Sequence, residues 1–268
     1  NFYKDIRNLG LSPSQSLSFS SNVPTYWGDQ PILEAPPYIG ITVVFISFFT
    51  IVISSLRKKY IWIHFGILLS LFLSWGKNFD FLTKIFVEYF PLYNKFRAVS
   101  SIQVILEFCF PVLATIGLYS FFERSKDEIL PALIKTYVVF LSMLVLLYLS
   151  SFTLSFSSPM DTYYGSIFGP EIMQLIKKTR LEIYKYDILR GMIFISLIFF
   201  ILYLSLIKKI KNKMTFALIL FLVFFDLIDI SNRYLDRDLF LKPSRINKLY
   251  IENNADREIL KDTSYFRV

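Results

Sequence analysis

Long apolar runs separated by short basic turns dominate the chain. Uncharged stretches occupy 38–56, 60–76, 136–160 and 191–207; the stretch 98–122 is interrupted only by Glu107, and 214–230 is apolar as far as Asp226 and Asp229. A membrane-crossing helix needs about 20 mostly apolar residues. None of these runs alternates with the period of two that a barrel strand requires. The pattern predicts an all-α polytopic membrane protein with about six transmembrane helices. Between the second and third spans the rhythm changes: Phe81, Ile85, Phe86, Tyr89 and Phe90 fall broadly along one helical face, and Asp80 stands where a cap is expected. Such a helix would lie flat in the membrane interface, in an outer loop.

The flanks and charges complete the expected organisation. Residues 1–37 read as an extracytoplasmic loop, 38–230 as the transmembrane bundle, and 231–268 as the beginning of an extracytoplasmic domain, with a short helix over 255–261 and a strand starting at 265–268. Threading six spans puts Arg57-Lys58-Lys59, the turn around Arg124 and Lys126, and the Lys208 to Lys213 turn on one side. Short basic loops mark the cytoplasmic side, so both ends are expected to be extracytoplasmic. The first residue is Asn rather than Met, with no leader after it, and both ends are expected to be cut from a longer chain.

Composition excludes the alternatives. Of 268 residues, 54% are hydrophobic and 18% aromatic, with 29 Phe and 17 Tyr, and only 19% are charged. That is too apolar for an ordinary soluble domain and too aromatic for a disordered one. The net charge of +8 is spread over loops on both sides, so its natural counterpart is the lipid bilayer and its phosphates, with no nucleic acid. One Cys and one His exclude an intramolecular disulfide and a zinc set; a lone His64 in an apolar run reads as a satisfied core or interface residue. Neither a P-loop, a dinucleotide fingerprint, a Ser-His-Asp set nor HExxH is present, and no cofactor or metal is expected.

Chemistry concentrates in the loop 75–97. Lys77, Lys84, Lys95 and Arg97 are cations at headgroup depth, and an Arg fork matches phosphate oxygens. They suit the phosphate of a lipid-linked substrate; equally, basic and aromatic residues at an interface serve as anchors. On the third span Ser100, Gln103 and Glu107 share a face, and Pro111 removes the N–H that would pair with the Glu107 carbonyl. A carboxylate within a span marks either a polar cavity wall or an ion pair with a neighbouring span. Asp226 and Asp229 share a face near Arg233 and Arg237, which favours simple ion pairing. Trp27, Asp29 and Gln30 offer a stacking face and hydrogen bonds suited to a sugar, or an ordinary interfacial belt.

The words PTYWGDQP (Pro24 to Pro31), LSWGKNF (Leu73 to Phe79) and FPLYNKFRAVSSIQVI (Phe90 to Ile105), in this order and followed by RYL at 233–235 and ADREILKD at 255–262, resemble the bacterial membrane protein YfhO family. The resemblance implies a large polytopic glycosyltransferase of the GT-C class in the bacterial cytoplasmic membrane. Such an enzyme takes sugar from a polyprenyl-phosphate donor and decorates an envelope polymer such as lipoteichoic acid at the outer face. It also implies a catalytic carboxylate in a first outer loop, expected upstream of Asn1. In that reading Lys77, Lys95 and Arg97 hold the lipid phosphate. Trp27, Asp29, Gln30, Trp75, Asn78, Tyr93, Asn94, Gln103 and Glu107 line the substrate pocket. A transporter or flippase of an envelope precursor, coupled through Glu107, and a noncatalytic scaffold are the alternatives.

Overall fold

A computed structural model describes residues 2–21, 23–28, 37–95, 99–235, 240, 252 and 254–261. Among them there is no strand; the chain is helical. Among the described residues four helices are long and apolar enough to cross a membrane, within Ser100–Glu123, Lys126–Ser150, Asp161–Leu206 and Asn212–Ser231. The other two expected spans are shorter helices, Ile41–Val52 and Ile61–Ser74. At 1.5 Å per residue these reach only about 18 and 21 Å, against a hydrocarbon core of about 30 Å.

In chain order the helices are α1 (Phe2–Asn8), α2 (Pro13–Ser21), α3 (Ile41–Val52), α4 (Ser54–Lys59), α5 (Ile61–Ser74), α6 (Asp80–Tyr89), α7 (Gln103–Glu123), α8 (Lys126–Ser150), α9 (Asp161–Leu206), α10 (Asn212–Ser231) and α11 (Asn254–Ile259). The chain divides into two compact units, Asn1–Ile228 and Asp229–Val268. In the second, the described part of the 255–261 helix is α11, carrying a Lys261–Glu258 pair; the expected strand at 265–268 lies outside the described residues.

Inside the first unit α3 is the central element, packed on α7, α8 and α9, while α5 packs on α7. Phe45, Ile129, Leu133, Ile195 and Ile198 form its dry core. Small residues allow the close approach. A Cβ on Gly117 of α7 would stand 2.9 Å from the Ile46 carbonyl oxygen, so only glycine fits against α3 there. Gly117→Val is expected to cost about 1–3 kcal/mol by overpacking. Gly66→Val, whose Cβ would meet nothing within 4 Å, should leave the detergent unfolding midpoint nearly unchanged. Equal midpoints for the two variants would contradict this packing.

Hydroxyls join the helices where apolar contact alone would leave the register loose. Ser47 donates to the Phe110 carbonyl at 2.6 Å, beside Pro111, and α7 runs on through that proline. His64 is satisfied, as expected, with Nε2 3.1 Å from Thr50 Oγ1 and Nδ1 2.8 Å from the Tyr60 carbonyl.

Two boundaries differ from the sequence reading. The expected 136–160 span is α8, which starts at Lys126 and stops at Ser150, because first-turn Asp127 and Glu128 suit a helix N-terminus and a Ser-rich stretch with Pro159 follows Ser150. The expected loop 161–188 is helix. α9 is two helical stretches that meet in a kink at Gly169, at φ 83 before Pro170, and the stretch 170–206 alone exceeds the length needed to cross. Met173, Ile176, Arg180, Ile188, Ile195, Ile198 and Leu202 form one continuous buried stripe. The half of α9 nearest α8's end receives α1 and α2, through a Phe19–Phe168 edge contact at 4.9 Å and a Lys178–Asp5 pair at 3.2 Å.

Candidate functional site

Antiparallel packing gives the first unit two distinct ends. At one, Lys59 and Arg124 line a shared groove, and Phe122 stacks on Phe216 at 4.7 Å. At the other lie Tyr38, Ser74, Gln103, Ser150, Arg190 and Asp226. Every candidate site residue that the structure describes belongs to this second end or to the layer built on it.

The loop after α5 is a compact module. Gly76 takes φ 53, a left-handed conformation that costs glycine nothing, and turns the chain from α5 into a short 3-10 segment, Gly76–Phe79. Thr83 donates to the Gly76 carbonyl at 2.8 Å and folds α6 back on that turn. Phe72, Trp75 and Phe79 cluster beneath it; Phe86 of α6 meets Tyr93 at 5.5 Å. Gln103 donates to Ser74 Oγ at 3.1 Å, and Ser70 to the Ile102 carbonyl at 2.7 Å, tying the start of α7 to α5. Trp75, Lys77, Asn78, Tyr93, Asn94, Lys95 and Gln103 therefore belong to one structural module. Arg97 lies outside the described residues, as do Asp29 and Gln30.

Within the module, the side chains of Lys77, Asn78, Asn94 and Lys95 are exposed and have no polar partner among the described residues. The fourth cation differs: Lys84 pairs with Asp80 at 2.5 Å, which raises the lysine's pKa. Asp80 is thus not the cap; Phe79 occupies that position, and Asp80 is the first helical residue, spending its carboxylate on Lys84. The Tyr93 hydroxyl is buried without a hydrogen bond among the described residues, and burial pushes its pKa upward.

Glu107 lies one turn beyond Gln103 on α7 and is exposed on a face shared with Val104, Phe108 and Pro111. It makes no ion pair among the described residues, so neither an ion pair nor an enclosed cavity accounts for it there. Trp27 is apart from the module, edge-on to Phe156 at 5.7 Å.

Two buried arginines, missed in the sequence, organise this end. Arg180 is completely buried; Nη1 donates to Asp161 Oδ1 at 2.9 Å and to the Phe156 carbonyl at 3.0 Å, and Nη2 donates to the carbonyls of Pro24 at 3.0 Å and Tyr26 at 3.3 Å. Arg190 Nη2 donates to Asp226 Oδ1 at 2.9 Å and to the Asp226 carbonyl at 2.5 Å, while Nη1 donates to the Tyr38 hydroxyl at 3.0 Å. Tyr38 donates in turn to Asp226 Oδ1 at 2.6 Å, and the Thr42 amide to Oδ2 at 3.0 Å. Asp226 is fully buried and bound to Arg190, which corrects the expectation of a partner among Arg233 and Arg237. Arg233 is 3.9 Å from Asp229, and Arg237 lies outside the described residues. The signal for Arg190 was available: a cation at the start of one span and a carboxylate at the end of the next fall at the same depth.

Among the described residues no three His, Cys, Asp or Glu side chains group to hold a metal. No protein-family model matches the chain, and no curated protein or solved structure matches it.

Proposed function

We propose that the chain forms the membrane portion of a glycosyltransferase of YfhO type, which uses a polyprenyl-phosphate sugar and acts on envelope polymers at the outer face of the bacterial cytoplasmic membrane. The observation that carries this reading is the module 75–95: two exposed cations without counter-charges, Lys77 and Lys95, beside Asn78, Asn94, Trp75 and an amphipathic α6. A lipid phosphate at headgroup depth needs such donors, and sugar hydroxyls need amides and an aromatic face. Arg97, two residues beyond Lys95, adds a fork for the phosphate leaving group. In this orientation the Lys59 end, with Arg57, Lys58, Arg124, Lys126 and Lys208 to Lys213, is cytoplasmic.

The test is sugar transfer from labelled polyprenyl-phosphate hexose in membranes carrying the native protein. Lys95→Gln combined with Arg97→Ala should lower transfer by about 100-fold, the scale for losing charge-stabilising donors, with insertion unchanged. Normal transfer by the inserted double variant rejects this phosphate seat. Glu107 favours one second reading, a transporter or flippase of an envelope precursor, because an exposed carboxylate on a span is costly without a role. Glu107→Gln should abolish substrate movement if that reading holds, and sugar transfer by the wild type in the same membranes decides for the first.

A further inference from the structure

At the end opposite the module, a groove of about 630 Å³ opens between α4 and the last turns of α7. Its floor is apolar, with Leu56, Ile116 and Tyr119; its rim carries Lys59, Glu123 and Arg124. Tyr119 is 68% exposed, so the groove faces outward from the bundle rather than into its core. The volume lies within the range of small-molecule sites, roughly 300–1,000 Å³.

The charges on the rim are unequal in their engagement. Arg124 is committed to Glu128 through an ion pair across the α7–α8 turn. Lys59 lies 5.3 Å from the Tyr60 ring centroid and has no carboxylate partner among the described residues; Glu123 has no cation partner there either. Two opposite charges thus share one groove at the end of a membrane bundle without meeting each other. A purely anionic headgroup would satisfy Lys59 and be repelled by Glu123. A headgroup with both a phosphate and a primary ammonium, two carbons apart, satisfies both. Its ammonium can also donate hydrogen bonds to the Glu123 carboxylate, as a quaternary choline cannot.

We propose that this groove binds a phosphoethanolamine-bearing phospholipid, with its phosphate on Lys59, its ammonium on Glu123, and its upper chains along Leu56, Ile116 and Tyr119. This inference rests on the membrane fold and is independent of the glycosyltransferase reading.

The experiment is native mass spectrometry of the purified native protein in detergent, titrated with phosphatidylethanolamine, phosphatidylcholine or phosphatidylglycerol of matched chains. The wild type should retain phosphatidylethanolamine about 10-fold better than the other two. Lys59→Gln should lower retention of phosphatidylethanolamine and phosphatidylglycerol alike, whereas Glu123→Gln should shift the preference to phosphatidylglycerol. Both changes are on a rim, and an unchanged unfolding midpoint checks that each variant is folded. Soluble phosphoethanolamine at the same concentration should displace no lipid, because the apolar floor contributes to binding; displacement would assign the groove to a free headgroup compound instead. Equal retention of all three lipids, or a phosphatidylglycerol preference already present in the wild type and unmoved by Glu123→Gln, overturns the proposal.

Discussion

Asp226→Leu is expected to destabilise the bundle by about 3–5 kcal/mol, the range for removing one partner of a buried ion pair. The carboxylate is fully buried and receives Arg190, the Tyr38 hydroxyl and the Thr42 amide. Without it, the Arg190 guanidinium stays charged in an apolar setting and loses its buried carboxylate, while the bonds to the Asp226 main-chain carbonyl and the Tyr38 hydroxyl remain. Gly40 adds a steric condition: at φ 95, its Cβ would stand 3.2 Å from Asp226 Oδ2, so the chain entering α3 is shaped around this carboxylate. Removing both charges, in Arg190→Leu with Asp226→Leu, should restore part of the loss, since no uncompensated ion remains. Recovery will be incomplete because the Thr42 amide has lost its acceptor. The check is a double-mutant cycle on the midpoint of unfolding by sodium dodecyl sulfate in mixed micelles. Asp229→Leu, at a half-exposed position with Arg233 only 3.9 Å away, should move that midpoint by less than about 1 kcal/mol. A single Asp226→Leu variant as stable as Asp229→Leu would remove the ion pair from any role in holding α3, α9 and α10 together.

The contrast between Asp226 and Asp229 shows what a sequence of this kind conveys. Hydropathy located α7, α9 and α10, because a run of about 20 apolar residues has few other stable forms. The charges near the end of α10 made both aspartates read as simple ion pairs with Arg233 and Arg237. Which neighbour answers Asp226 depends on helix tilt and adjacency, which hydropathy does not encode, and Arg190 lies 36 residues away in sequence. The extension of α9 below its apolar part was legible in principle. Met173, Ile176, Arg180 and Ile188 recur at helical spacing, but the density of charges after Gly169-Pro170 concealed that the helix starting there runs on into the apolar span. The module 75–95 was legible as a cluster of cations and aromatics. Its closure by Gly76, Thr83 and Gln103 was not, because each bond joins residues several positions or more apart.

These two arginines share a logic that separates them from Lys77 and Lys95. Arg180 and Arg190 use their forked donors on backbone carbonyls and a single carboxylate, so their charge is consumed in holding chain segments. The lysines of the module hold no segment, and their charge remains available at the surface. The same end of the protein therefore carries cations that build the frame and cations that can meet a ligand, and substitution separates the two by outcome: loss of stability for the first, loss of binding for the second.

Arg180→Met should detach the layer built on α9 without melting the bundle. The guanidinium joins two segments distant in sequence: the carbonyls of Pro24 and Tyr26 on one side, and on the other the Phe156 carbonyl with the Asp161 carboxylate at the start of α9. Asp161 also accepts from the Ser158 amide at 2.9 Å, so the turn into α9 depends on the same carboxylate. Methionine keeps the apolar stem but leaves Asp161 only 10% exposed and unpaired, and strands three carbonyls, an expected cost of about 3–5 kcal/mol. Arg180→Lys should recover little, because one ammonium cannot reach carbonyls on both sides as the planar fork does. The measurement is amide hydrogen exchange: rates over 23–28 and 151–161 should rise by about two orders of magnitude or more, while amides of α7 and α8 within the bundle hold their protection. If exchange rises equally throughout, Arg180 supports the whole fold; if it rises nowhere, the carbonyl bonds contribute nothing and the apolar contacts of the layer, such as Trp27 against Phe156, hold it without them.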